Sequence, residues 1–158
     1  MKLSFTKGAG KFDRLVIVTA ARPRPTIDCP KQGIIPHDMM HWAVEVEVAA
    51  AGFLRLIGQG GDSGQRAALG IASAESVERL VEMFQGEGWS AAVLPDDEFT
   101  ALYATTCEAR GDKPLFITGA LLTAVRTRIA DVGAQWAAVP VGGQLVLELG
   151  LEQLGHPQ

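Results

Sequence analysis

Cysteine is scarce in this chain: only Cys29 and Cys107 occur, far apart and outside any Cys-x-x-Cys spacing. No disulfide framework is therefore expected, and the two residues read as free thiols packed as small apolar groups. Pro30 and Lys31 follow Cys29, which leaves a reactive thiolate there as an alternative. Aromatic residues amount to 6% of the chain, and only Phe5 and Phe12 lie among the N-terminal basic residues. That is too little to stack a run of bases, which argues against a nucleic-acid partner. No apolar run approaches the roughly 20 residues of a membrane helix, because Glu45, Glu47 and Arg55 interrupt the best candidate. The opening Met1-Lys2-Leu3-Ser4-Phe5-Thr6-Lys7-Gly8 lacks the apolar stretch of a secretory signal. A cytoplasmic protein with no membrane partner is the expectation. The glycines from Gly58 to Gly64 are not followed by Lys-Ser or Lys-Thr, so no P-loop is present. Ser63 lacks the Gly-x-Ser-x-Gly context of a nucleophile elbow.

What is there fits one domain spanning residues 1–158, with 47% apolar and 20% charged residues, enough to bury a core unaided. The net charge of −4 hides an asymmetry, because residues 1–35 carry seven Lys/Arg against Asp13 and Asp28. The span from Glu75 to Glu98 holds seven acids and only Arg79. Both regions read first as solvated faces; an anionic partner for the first is the alternative.

Residues 1–30 read as a β meander. Leu3 and Phe5 alternate with polar neighbours, Leu15-Val16-Ile17-Val18 is a β-branched run, and Thr26 to Cys29 forms a short third strand. Arg22-Pro23-Arg24-Pro25 is expected to break pairing, since proline removes a ladder donor. Residues 36–135 read as helical, in about four helices. The first starts at Pro36, a residue suited to an opening helical turn, and is expected to run to about Ile57. The second, near 74–86, turns Val77, Leu80, Val81 and Phe84 inward. A third begins near Pro95 and presents Phe99, Leu102 and Tyr103; the last begins at Pro114 and carries Phe116, Leu122, Val125 and Val132. Residues 136–150 hold two apolar runs around Gly142-Gly143 and read as a hairpin, with Pro140 placing its strand at an edge. Strands from both ends in one small antiparallel sheet, packed on the helices, give an α+β fold.

Chemistry concentrates in Pro36-His37-Asp38-Met39-Met40-His41-Trp42-Ala43-Val44-Glu45. Residues four apart stack on one helix face, so His37, His41 and Glu45 share a stripe. Two imidazoles and an acid on one stripe suit a divalent metal such as zinc, manganese or nickel. Candidate ligands are His37, Asp38, His41 and Glu45, completed by Cys29 or His156. His37-Asp38-Met39-Met40-His41 has the His-x-x-x-His spacing of zinc proteases, but with aspartate where that pattern has glutamate. Pro36 also sets it in a first turn rather than mid-helix, and Val44 stands where one protease group has a helix-breaking glycine. The competing expectation is a polar cluster in a helix–sheet core, with Asp38 stabilising the helix start and the histidines hydrogen-bonded.

This segment, with the closing Trp136-Ala137-Ala138-Val139-Pro140-Val141-Gly142-Gly143-Gln144-Leu145, resembles a set of small uncharacterised bacterial proteins. They share a Pro-His-Asp-x-x-His-aromatic-x-Val-Glu segment and a C-terminal Gly-Gly hairpin. The resemblance implies a bacterial cytoplasmic protein and carries no activity. The leading expectation is a binding or assembly domain, with homo-oligomers formed through edge strands. A metal-binding protein or metal-dependent hydrolase using His37, His41 and an acid is the alternative, and an anion or nucleic-acid binder using the basic N-terminal sheet is the third.

Overall fold

The computed structural model describes residues 1–19, 23–48, 50–59 and 72–151, with backbone alone at 23–25 and 72. His156 and the glycine-rich stretch from Gly60 onward lie outside the described residues.

Period-two alternation makes the sheet. Strand β1 (Lys2–Thr6) buries Leu3 and Phe5, and β2 (Phe12–Val18) buries Asp13, Leu15 and Ile17. Strand β3 (Pro23–Pro30) completes an antiparallel meander, and β4 (Gln144–Glu148) adds on the other side of β1. The order is β3-β2-β1-β4, so the two ends of the chain meet in one sheet. The amino group of Met1 donates to the Leu149 carbonyl at 3.0 Å and clamps them. The Arg22–Pro25 stretch does not end pairing as expected: Pro23 pairs with Val18 across a register shift. β3 is an edge strand, where a missing N–H faces outward and costs no ladder bond.

One face of the sheet lies on the helices α1 (His37–Glu47), α2 (Phe53–Gly58), α3 (Ala72–Ser90), α4 (Asp96–Ala109) and α5 (Gly119–Ala138). The fold is α+β. Helix α1 is the hub, with contacts to α2, α3, α5 and β3. Residues Asp38 through Glu45 of α1 are all buried. A helix buried on every side cannot leave its polar groups to water, so each must find a partner inside.

Three expectations are corrected. The first helix stops at Glu47, where Val48 turns to an extended φ of −87° and ψ of 135°, and Phe53 begins a separate helix. The C-terminal strand β4 has no hairpin partner before it and pairs with β1 instead. Trp136 to Ala138 end α5, and Pro140 to Gly143 make a helix-to-strand turn, with Gly142 at φ +82° donating to the Lys7 carbonyl. The final helix starts at Gly119, because Thr118 caps it by accepting from the Leu121 N–H at 3.2 Å. Phe116, ahead of that cap, is exposed, as is Leu102 of α4, while Val77, Leu80, Val81, Phe84, Phe99, Tyr103, Leu122, Val125 and Val132 enter the core as read. No helix among the described residues is long and apolar enough to cross a membrane.

Candidate metal centre

The four-residue spacing of His37 and His41 does what helical geometry requires. The rings sit one above the other with centroids 4.7 Å apart and planes at 82°. Their Nε2 atoms approach to 3.2 Å. Helix α3 brings the third group: Glu78 Oε2 lies 3.0 Å from His41 Nε2, and its Oε1 lies 3.6 Å from His37 Nε2. The His41 side chain is fully buried, whereas those of His37 and Glu78 are 35% and 15% exposed, so the cluster opens toward solvent on the His37 side.

Four atoms converge here: the two imidazole Nε2 atoms, each able to ligate when unprotonated, and the two oxygens of the Glu78 carboxylate. Protons on the ring nitrogens satisfy these contacts in one way, with a ring N–H donating to the Glu78 carboxylate. A cation that takes both Nε2 lone pairs and a carboxylate oxygen satisfies them in another. Around a four-coordinate zinc with bonds of about 2.0–2.1 Å, neighbouring ligand atoms lie about 3.3 Å apart. The His41 Nε2 separations, 3.2 Å to His37 Nε2 and 3.0 Å to Glu78 Oε2, lie near that edge, and the other carboxylate oxygen, Oε1, is 3.6 Å from His37 Nε2. His37, His41 and Glu78 together are the one group of this kind among the described residues.

Behind this triangle stands Glu45, fully buried on the next turn of α1. Its Oε1 is 3.2 Å from His41 Nδ1, the ring nitrogen facing away from the cluster. A carboxylate there fixes the proton on Nδ1 and leaves Nε2 free to ligate, the arrangement usual behind metal-bound histidines. Glu45 also accepts from the backbone N–H groups of Leu54 at 2.9 Å and Arg55 at 3.0 Å. Two acids, Glu45 and Glu78, thus flank one histidine in a low-dielectric interior. Burial pushes the His41 imidazole toward neutrality, but hydrogen bonds to Glu45 and Glu78 outweigh it and raise the pKa to about 9.

The remaining candidates lie elsewhere. Asp38 turns toward β3, where its Oδ2 accepts from the Cys29 thiol at 3.4 Å. Burial, then Asp38, pushes the Cys29 thiol well above its ordinary value, so it stays protonated and makes a poor nucleophile or ligand. Asp38 therefore does not take the place of the acid in a His-Glu-x-x-His motif. Glu45 is beside the cluster but on the far side of His41. Glu78 was absent from the candidates read in the sequence. Its one signal there is position, since it is an acid next to Val77 and three residues before Val81, on the margin of α3's buried stripe.

Among the basic N-terminal residues, Lys7 donates to the Trp136 carbonyl, Lys31 to the Gly8 carbonyl, and Lys2 pairs with Glu148 at 3.6 Å. No family model, no curated protein and no solved structure matches the chain.

Proposed function

We propose that this chain is a divalent-metal protein that holds one zinc-like ion with His37, His41 and Glu78. The observation that carries the proposal is the convergence of His37, His41 and Glu78, with one ligand atom from each within 4.8 Å of the others. Charge supports it as well, since a dication offsets Glu45 and Glu78 in surroundings where unpaired charge is costly. Two histidines and one glutamate leave a fourth position. An open position is the mark of sites that bind water or substrate rather than of closed structural sites. The reaction class such a site suits is hydrolysis by metal-bound water. The partly exposed His37 side gives a small molecule its approach.

A second reading has its own observation. With its pKa raised to about 9, His41 in the metal-free protein is an imidazolium between Glu45 and Glu78, an ion-pair network tying α1, α2 and α3 together. Elemental analysis of protein purified without a histidine tag separates the two. The metal reading expects about one equivalent of zinc, manganese or nickel, or thermal stabilisation when one is added, and the loss of both in His41→Ala. No bound metal and no stabilisation by any of the three leaves the ion-pair network alone.

A further inference from the structure

Glu45 performs two tasks that are usually separate. Its carboxylate holds His41 Nδ1 on one side and, on the other, receives the two backbone N–H groups that open α2. Helix α2 has no cap of its own: Gly52 at the N-cap position makes no side-chain bond. The first N–H groups of a helix need an acceptor, and here a buried side chain of the preceding helix supplies it. The contact is tight. A Cβ on Gly52 would fall 2.3 Å from Glu45 Cδ and 2.6 Å from its Oε1, so only a residue without a side chain leaves the carboxylate its place. Arg55 closes the loop in the other direction, its guanidinium donating to the Glu45 carbonyl at 2.8 Å.

We infer that Glu45 is a positioning residue that couples metal occupancy to the docking of α2, so that the centre and this helix order each other. The inference rests on the metal reading above. A metal on His41 Nε2 directs Nδ1–H at Glu45 Oε1, the same oxygen that receives Leu54 N–H. Fixing the ring therefore fixes the cap, and an undocked α2 frees the carboxylate and loosens the ring. Coupling between two sites is reciprocal, so each effect sets the size of the other.

Gly52→Ala isolates this link. It adds and removes no ligand atom, and the Gly52 φ of −97° with ψ of −172° is extended backbone that alanine also adopts. Its only new demand is on the space of the Glu45 carboxylate. The experiment measures zinc affinity by competition with a chelating dye for wild type, Gly52→Ala and Glu45→Gln. Alongside it, hydrogen exchange of the Leu54 and Arg55 amides is followed in wild type with and without zinc. The expected result is affinity lowered about 10–100-fold in both variants, the usual effect of removing a partner behind a metal ligand. Zinc is expected to slow the two wild-type amides. Wild-type affinity in folded variants, or wild-type amides indifferent to bound zinc, overturns the coupling and leaves the metal reading standing. A wild-type protein that binds no zinc overturns both. The exchange measurement needs no variant, so it decides even if a substituted chain fails to fold.

Discussion

Two polar clusters in this molecule look alike in composition and differ in logic. At the α3–α5 contact, Arg126 sends Nε and one terminal nitrogen to Glu87 at 3.1 and 2.7 Å and the other to Asp96 at 2.8 Å. It also donates to the Leu94 carbonyl at 3.0 Å and lies over the Phe99 ring. Every short contact there joins a donor to an acceptor, and the cluster is complete as it stands. At the α1–α3 contact, two imidazoles and the Glu78 carboxylate converge, with a second carboxylate, Glu45, behind His41. The first is a closed ion-pair network, and the second is the one on which the proposed metal reading rests. The contrast lies in the balance of groups: Arg126 offers a donor to each carboxylate it meets, whereas two carboxylates, Glu45 and Glu78, meet on the single ring of His41.

The substitution with the largest expected effect is His41→Ala. It removes a ligand and leaves Glu45 and Glu78 facing an apolar gap, so zinc retention is lost and the metal-free protein is destabilised by about 3–5 kcal/mol. Denaturant unfolding with and without zinc reads both quantities. Survival of zinc binding in the folded variant breaks the comparison at its centre.

The next effect is one of pH. The His41 pKa lies at about 9 against an ordinary 6.5, so its stabilisation of the metal-free fold is complete below pH 6.5 and lost as pH climbs through 9. The loss is on the order of 3 kcal/mol. Zinc requires the Nε2 lone pair, so its stabilising effect grows over the same interval. Thermal unfolding across pH 6 to 10 with and without zinc should show the two trends crossing. Parallel curves would count against the assignment.

Smaller still is the expected cost of Arg126→Met. Its side chain is 20% exposed and its partner Asp96 51% exposed, so screening reduces the loss to about 2 kcal/mol, with zinc affinity unchanged. A change in zinc affinity on this substitution would erase the distinction between the two clusters. The least effect is expected of Asp38→Asn. It disturbs one thiol hydrogen bond, costs about 1 kcal/mol, and leaves zinc affinity within a few-fold of wild type. A large loss would return Asp38 to the ligand set.

Much of the architecture was legible because period-two and period-3.6 burial follow directly from Leu3/Phe5, Leu15/Ile17 and Val77/Leu80/Val81/Phe84. The misreadings occur where local preference yields to tertiary contact. Ala49-Ala50-Ala51 favours helix, yet α1 ends before it, and the chain returns so that Glu45 can cap α2. Gly142-Gly143 turns the chain from the end of α5 into β4 instead of joining two strands, and β1 gives β4 the partner that a hairpin would have supplied. The histidine stripe was legible because both residues share one helix. Glu78 was not, because no periodicity in α1 reveals which acid of α3 faces it.

In the metal reading, zinc would be held by two imidazoles and one carboxylate, with the thiols apart. X-ray absorption spectroscopy of the zinc-loaded protein reads that shell directly. Four-coordinate zinc with nitrogen and oxygen ligands only, two of them imidazole, is expected, with one imidazole lost in His37→Ala. A sulfur ligand from Cys29, or zinc held without imidazole, would contradict it.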